Sequence, residues 1–351
     1  MKRIPKEILK EYNADCYFVL NNSDIRYFSG LVSSNIALLI TGEESFVFSD
    51  GRYKYHIESQ SLYTPVVCGG GVCGAVAEKI TELGLKKILI DPETFSYGTY
   101  LNMFSGISDK FITASGITNF LRAQKSEYEI QCIKKAQSIA EESLEEILPM
   151  VKEGITTAEV AAKLEYAMKL KGSEEPAFSS IVLTGAGAAD CHGVPDGSVI
   201  KNGSFVLFDF GATYKGMRSD MTRTFALNSA SDEMRGVYDT VLSAHMAAAG
   251  EIKASVPAKN VDLAARKIIS DAGYEKEFLH STGHGVGFDI HEFPTVSSKS
   301  EAVLEENMII TVEPGIYIKD KYGIRIEDMY VVGKNEGFSM AEMTKKLIIL
   351  K

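Results

Sequence analysis

No apolar run in this chain approaches the roughly 20 consecutive residues needed to cross a bilayer. The opening residues, MKRIPKEILKEY, carry charges throughout and have no apolar centre, so they do not read as a signal peptide. Positive charge is in deficit: 37 Lys and Arg face 47 Asp and Glu, a net charge of −10, which argues against nucleic acid as the main partner. The five cysteines are odd in number and lack a CxxC spacing, which argues against a disulfide framework. These absences point to a cytoplasmic protein with no membrane partner. Two further absences remove nucleotide-binding readings. The CGGG run at residues 68–71 is not followed by a Lys-Ser/Thr pair, and GAGAAD at residues 185–190 lacks a third glycine and a βαβ setting.

What is present is ordinary globular sequence, 45% hydrophobic and 24% charged, with room in 351 residues for two domains. Residues 15–53 alternate apolar runs (CYFVL, IRYFSG, IALLI, SFVFSD) with turns, which predicts a sheet. Residues 75–83 read as a helix stopped by Gly84, and residues 87–90 as a strand. The first 121 residues are thus expected to form a small α/β domain, and residues 122–351 a larger second one. Residues 119–125 read as the connector. Ser126 then caps a long amphipathic helix, with Glu127 and Glu129 in its first turn. Further helices are expected over residues 157–170, with Thr157 as a cap, and over residues 234–252 and 261–272.

Between these helices lie two stretches of the same design. Residues 205–225, FVLFDFGATYKGMRSDMTRTF, form an apolar strand with one carboxylate, Asp209, then a turn and a return strand carrying Asp220. An ionised Asp in such a strand is costly unless paired or bound to a cation, and two side by side repel. Residues 309–331 repeat the pattern with Glu313 and Glu327. Taken singly, such pairs could also be exposed surface carboxylates. Between the two stretches, HSTGHGVGFDIHE supplies His280, His284 and His291 in a glycine-rich setting. Four carboxylates and one imidazole make an oxygen-rich donor set suited to Mn, Co or Zn, and large enough for two ions.

The segments FDFGATYKGMRSDMTRT, STGHGVGFDIHE, TVEPGIY and GIRIED, in this order and spacing, resemble the pita-bread metallopeptidases, which include aminopeptidase P, prolidase and methionine aminopeptidase. DGRY at residues 50–53 resembles a segment of the N-terminal domain of the Xaa-Pro peptidases. The resemblance implies an α/β (α+β) chain, with a creatinase/prolidase-like first domain and a pita-bread catalytic domain of pseudo-two-fold symmetry. It implies Asp209, Asp220, His284, Glu313 and Glu327 as ligands of two divalent ions, Mn first, with Co or Zn as alternatives. Glu313 would also carry a proton to the leaving nitrogen. His192, His280 and His291 would contact substrate, with His192 and His291 counted among the catalytic groups. The family often has proline just before the first of these; here Cys191 stands there.

Arg325, on the same strand face as Glu327, is expected to pin a substrate carboxylate or to orient the site, with a structural ion pair as the alternative. Tyr214 and Tyr317 are read as packing residues. The implied activity is hydrolysis of Xaa-Pro bonds in proline-containing peptides by a homodimer. The loop SGLVSSN, residues 29–35, has no Lys or Arg to seize a free carboxylate, so the expectation leans to aminopeptidase P over the Xaa-Pro dipeptidase prolidase. Methionine aminopeptidase follows as a third reading. The non-enzyme reading, a ligand-binding relative that has lost its metal ligands, is disfavoured by the presence of all five.

Overall fold

Side chains alternate along a strand, and in the first half of the chain both faces of the sheet are apolar. Along β1 (Cys16–Val19), Cys16 and Phe18 enter one buried cluster while Tyr17 and Val19 enter another. The computed structural model describes residues 6–60, 62–101 and 105–351, which form two units, Met1–Leu121 and Arg122–Lys351. In the first unit, β1 to β6 make a mixed sheet in the order β4-β3-β2-β1-β5-β6. The other strands are β2 (Ile36–Thr41), β3 (Phe46–Asp50), β4 (Thr64–Cys68), β5 (Ile88–Ile90) and β6 (Phe111–Thr113). The helices are α1 (Lys6–Glu11), α2 (Asn22–Ser29), α3 (Lys54–Glu58), α4 (Val72–Glu82) and the single turn α5 (Tyr97–Thr99).

One run departs from expectation. IRYFSG is not a strand; it lies in α2. Asn21 caps that helix, its side-chain oxygen accepting from the N–H of Ser23 at 2.8 Å and of Asp24 at 3.2 Å. Gly30 ends it in the left-handed conformation at φ 74°. Caps at both ends outweigh a β-favouring composition between them. The CGGG run is a plain turn from β4 into α4.

The second unit begins with the short α6 (Asn119–Ala123), which bridges the unit boundary in sequence, and then α7 (Glu127–Ile147) and α8 (Thr157–Leu170). Ser126 and Glu129 cap α7 reciprocally. The cap of α8 is Thr156, one residue earlier than expected; Thr157 is buried and donates instead to the Asp196 carbonyl at 3.1 Å. Next come β7 (Ile181–Thr184), β8 (Phe205–Phe210), the small hairpin β9 (Thr213–Tyr214) and β10 (Met217–Arg218), and β11 (Met221–Leu227). A second helix pair follows, α9 (Asp232–Gly250) and α10 (Ala258–Asp271). After it come β12 (Gly283–Gly285), β13 (Glu292–Val296), β14 (Ile309–Val312), β15 (Gly315–Ile318), β16 (Tyr322–Arg325), β17 (Asp328–Val332), β18 (Gly337–Ser339) and β19 (Ile349–Leu350). Helix pair and double hairpin thus occur twice.

The first half builds the sheet β11-β8-β7, which the late strand β19 joins beside β11, with α7 and α8 in its core; the second builds β13-β12-β14-β17-β18, with α9 and α10 in its core. Thr222 and Glu327 join the two sheets through a bridge, the Glu327 N–H donating to the Thr222 carbonyl at 3.1 Å.

Beneath that bridge lies a buried polar knot. Arg223, 2% exposed, donates to the Glu327 carbonyl at 2.7 Å and to Asp328 Oδ1 at 2.7 Å. Lys345 also pairs with Asp328. His245, fully buried, donates from Nδ1 to the Ile326 carbonyl and accepts at Nε2 from Tyr330. Burial would raise the Asp328 carboxyl, yet the Arg223 and Lys345 charges outweigh it and hold it below the ordinary 3.8. Its stabilisation is therefore complete above that value and lost as pH falls through the depressed one. Arg223→Ala leaves the buried Asp328 carboxylate with Lys345 as its remaining ion-pair partner and the Glu327 carbonyl without its donor, so equilibrium denaturation at neutral pH should show a loss of about 3 kcal/mol.

Candidate metal centre

The chemistry-bearing side chains stand on, or one residue beyond, the paired strands. Asp209 lies on β8 opposite Thr222, and Asp220 immediately precedes β11. Glu313 follows β14, Glu327 precedes β17, and His284 is the middle residue of β12. Gly211 permits the close approach of the first hairpin's arms, because a Cβ there would strike the Ser219 carbonyl.

These five residues converge. One ligand atom each from Asp220, His284 and Glu327 lies within 4.8 Å of the other two. His284 Nε2 is 3.6 Å from Asp220 and 3.4 Å from Glu313. Thr222 donates to Glu327 at 2.7 Å, and Arg325 Nη2 donates to Asp209 Oδ2 at 2.5 Å. Asp209 Oδ1 is buried and has no hydrogen-bond partner. Burial, followed by the neighbouring carboxylates, raises Asp220 and Glu327 well above the usual range. Burial also pushes Glu313 up to about 8.

The histidine tautomers follow from their partners. His284 Nδ1 lies 3.0 Å from the Gly285 carbonyl, which can only accept, so Nδ1 holds the proton and Nε2 aims a lone pair at two carboxylates. Once those acids are ionised, lone pair faces lone pair, a repulsive arrangement that a cation between them reverses. With the orphaned Asp209 oxygen and the oxygen-rich donor set, these residues fit divalent metal. Burial lowers His284 to about 4, keeping it a neutral donor at physiological pH.

His280 Nδ1 donates in the same way to the Ser281 carbonyl at 2.8 Å, so Nε2 accepts from Tyr317 at 2.8 Å. Tyr317 in turn accepts from Arg325 Nη1 at 2.6 Å. Both His280 nitrogens are therefore engaged inside the protein. Arg325 is equally occupied: besides Asp209 and Tyr317 it donates to Thr222 at 3.0 Å and to the Cys191 carbonyl at 3.4 Å. It holds the site rather than presenting itself to a substrate carboxylate. Tyr317, read from sequence as packing, is the hinge of this relay. Only the register of its hairpin, which sets it diagonally from Arg325, reveals that.

His192 and His291 are exposed side chains. The His291 ring stands edge-on to His284 at 4.4 Å between centroids. Partial burial and nearby His192 lower its pKa. The loop bearing His192 is tied down by the Cys191 carbonyl's bond to Arg325. All five cysteines are free thiols. Among the described residues, no helix is long and apolar enough to cross a membrane.

Residues 131–334 match the model of metallopeptidase family M24, and residues 3–124 match the creatinase/prolidase N-terminal domain. The chain belongs to metallopeptidase family M24, and its second unit has the pita-bread fold. Dependence on divalent metal comes with that membership. It is 34% identical to the Xaa-Pro dipeptidase of Pyrococcus horikoshii over 97% of both chains. Among solved structures it is similar to an Xaa-Pro dipeptidase from Bacillus anthracis (TM-score 0.95, 36% identity, 98% of each chain). It is also similar to an X-Pro aminopeptidase from Thermotoga maritima (TM-score 0.90, 32% identity, 98% and 99% of the two chains).

A cation needs ionised carboxylates, and Glu313 in the metal-free protein gives up its proton only near pH 8. Binding of Mn at pH 7 should therefore release protons, and affinity should weaken as pH falls from 8 toward 6. Metal titration in weakly buffered solution, read with a pH indicator, checks both.

Proposed function

We propose that this protein is a dinuclear-metal-dependent Xaa-Pro dipeptidase, built as a first domain of residues 1–121 and a catalytic domain of residues 122–351. The observation that carries the dipeptidase reading is the full-length likeness to proteins named Xaa-Pro dipeptidase, first domain included. Xaa-Pro aminopeptidase is the second reading. It is favoured by the Thermotoga maritima likeness and by the cation-free loop at residues 29–35.

In this reading Asp209, Asp220, His284, Glu313 and Glu327 would hold two divalent ions, Mn ahead of Co or Zn. When bound, the ions supply a water activated near neutral pH and polarise the scissile carbonyl. The protein's own groups do the rest. An Xaa-Pro bond is a tertiary amide with no N–H, so recognition must come from the carbonyl side and from the ring. His291 and His192, exposed and near the ligand set, are the groups free to donate to substrate oxygens. His280 supports them indirectly, by holding Tyr317 and through it Arg325. Arg325 fixes Asp209 in place. Glu313 returns a proton to the proline nitrogen as the bond breaks. A homodimer in the cytoplasm completes the proposal; light scattering that reports a monomer would remove the first part.

Asp220→Ala should abolish activity and lower bound metal while circular dichroism stays unchanged. His291→Ala should instead cut kcat by about a hundredfold with metal retained. Comparing kcat/KM for Ala-Pro and Ala-Pro-Ala-Ala separates the two activities. A tenfold preference for the dipeptide is expected, and the reverse preference would make the protein an aminopeptidase.

A further inference from the structure

The residue after His291 is buried in a knot of charge. The Glu292 side chain is only 4% exposed. Its Oε1 accepts from Arg122 Nε at 3.2 Å, and from Nη2 of the same guanidinium. Its Oε2 accepts from Lys125 at 3.1 Å. Arg122 also pairs with Asp289, so two cations face two carboxylates. The base of the knot is firm, because the Lys125 N–H donates to the Asn307 carbonyl at 2.9 Å, beside β14.

Glu292 also folds the turn that presents His291. Its Oε1 accepts the Asp289 N–H at 3.1 Å, and the Gly287 N–H donates to the Asp289 carbonyl at 3.0 Å. Residue 287 must lack a side chain, since a Cβ there would strike the Glu292 carboxylate. The other end of the turn is held by Arg218, whose N–H donates to the Gly287 carbonyl at 2.9 Å and whose Nε donates to the Phe288 carbonyl at 3.0 Å. An exposed imidazole is thus carried on a turn clamped at both ends. A buried ion cluster is seldom more stable than apolar packing of the same volume. Stability alone therefore does not account for Arg122, Lys125 and Glu292 at these positions.

We propose that Glu292, gripped by Arg122 and Lys125, is a positioning residue that sets the direction of the His291 imidazole over the metal centre. This rests on the reading of His291 as a substrate contact. In Mn-loaded protein acting on Ala-Pro, Glu292→Gln keeps the shape of the side chain and removes its charge. It should lower kcat/KM at least tenfold with bound metal unchanged. In a His291→Ala background the same substitution should change kcat/KM by less than twofold, because the group it acts through is gone. Losses that multiply in the double variant would overturn the inference. Lys125→Met, read the same way, serves if Glu292→Gln does not fold.

A second readout is independent of activity. In metal-free protein with 15N-labelled histidine, Glu292→Gln should displace or broaden the His291 imidazole signals and leave those of buried His245 in place. An unmoved His291 overturns the inference. If the wild type cleaves no Xaa-Pro peptide, the proposed function fails, while this spectrum still decides the role of Glu292.

Discussion

Four carboxylates and one neutral imidazole are gathered in the second unit, with Arg325, among the described residues, the one cation hydrogen-bonded directly to any of the four. Carboxylates taken out of water at this density repel one another, and burial magnifies the repulsion. Most of the surrounding architecture makes sense as a response. Arg325 takes Asp209, Thr222 takes Glu327 and Thr311 takes Glu313, so that three of the four acids have a fixed direction before any cation arrives. Preorganisation of this kind moves the cost of assembling the charges into folding.

The double hairpins are what make that cost tolerable. Each is apolar enough to anchor its strands in a core, and its acids lie on or directly beside those strands. The halves are then stitched by Thr222, Thr224 and Arg325, with the Thr224 hydroxyl donating to the Arg325 carbonyl at 3.0 Å. Below them, Arg223 spans the same seam from the other side. The strand carrying Asp220 and the strand carrying Glu327 consequently cannot shift independently.

Much of this was legible in the sequence because a charge inside an apolar strand is conspicuous. Asp209, Asp220, Glu313 and Glu327 each interrupt such a strand, and capping residues announce the helices that follow. The misreading of IRYFSG has a local cause, since aromatic and branched residues favour strands until a cap at each end is recognised. Tyr317 was invisible for a different reason. Its hydroxyl matters only because β15 and β16 pair in one register and a separate segment brings His280 beside it. Arg122 and Lys125 read as connector residues, because nothing local to them names Glu292, some 170 positions away for Arg122. Cys191 departs from the family pattern, yet the contact it makes is through its backbone, which any residue could supply.

The seam between the halves has a consequence for the life of the protein. The residues joined across it, Thr222 and Glu327, are 105 positions apart. An ion held by acids from both hairpins would close a loop of that size. A covalent link closing a comparable loop is worth about 4–5 kcal/mol in chain entropy alone. On that reading the ion is a removable staple, and its supply governs how often the two halves part and expose their strands to proteolysis. A cell short of the metal would then hold fewer copies of the protein as well as less active ones.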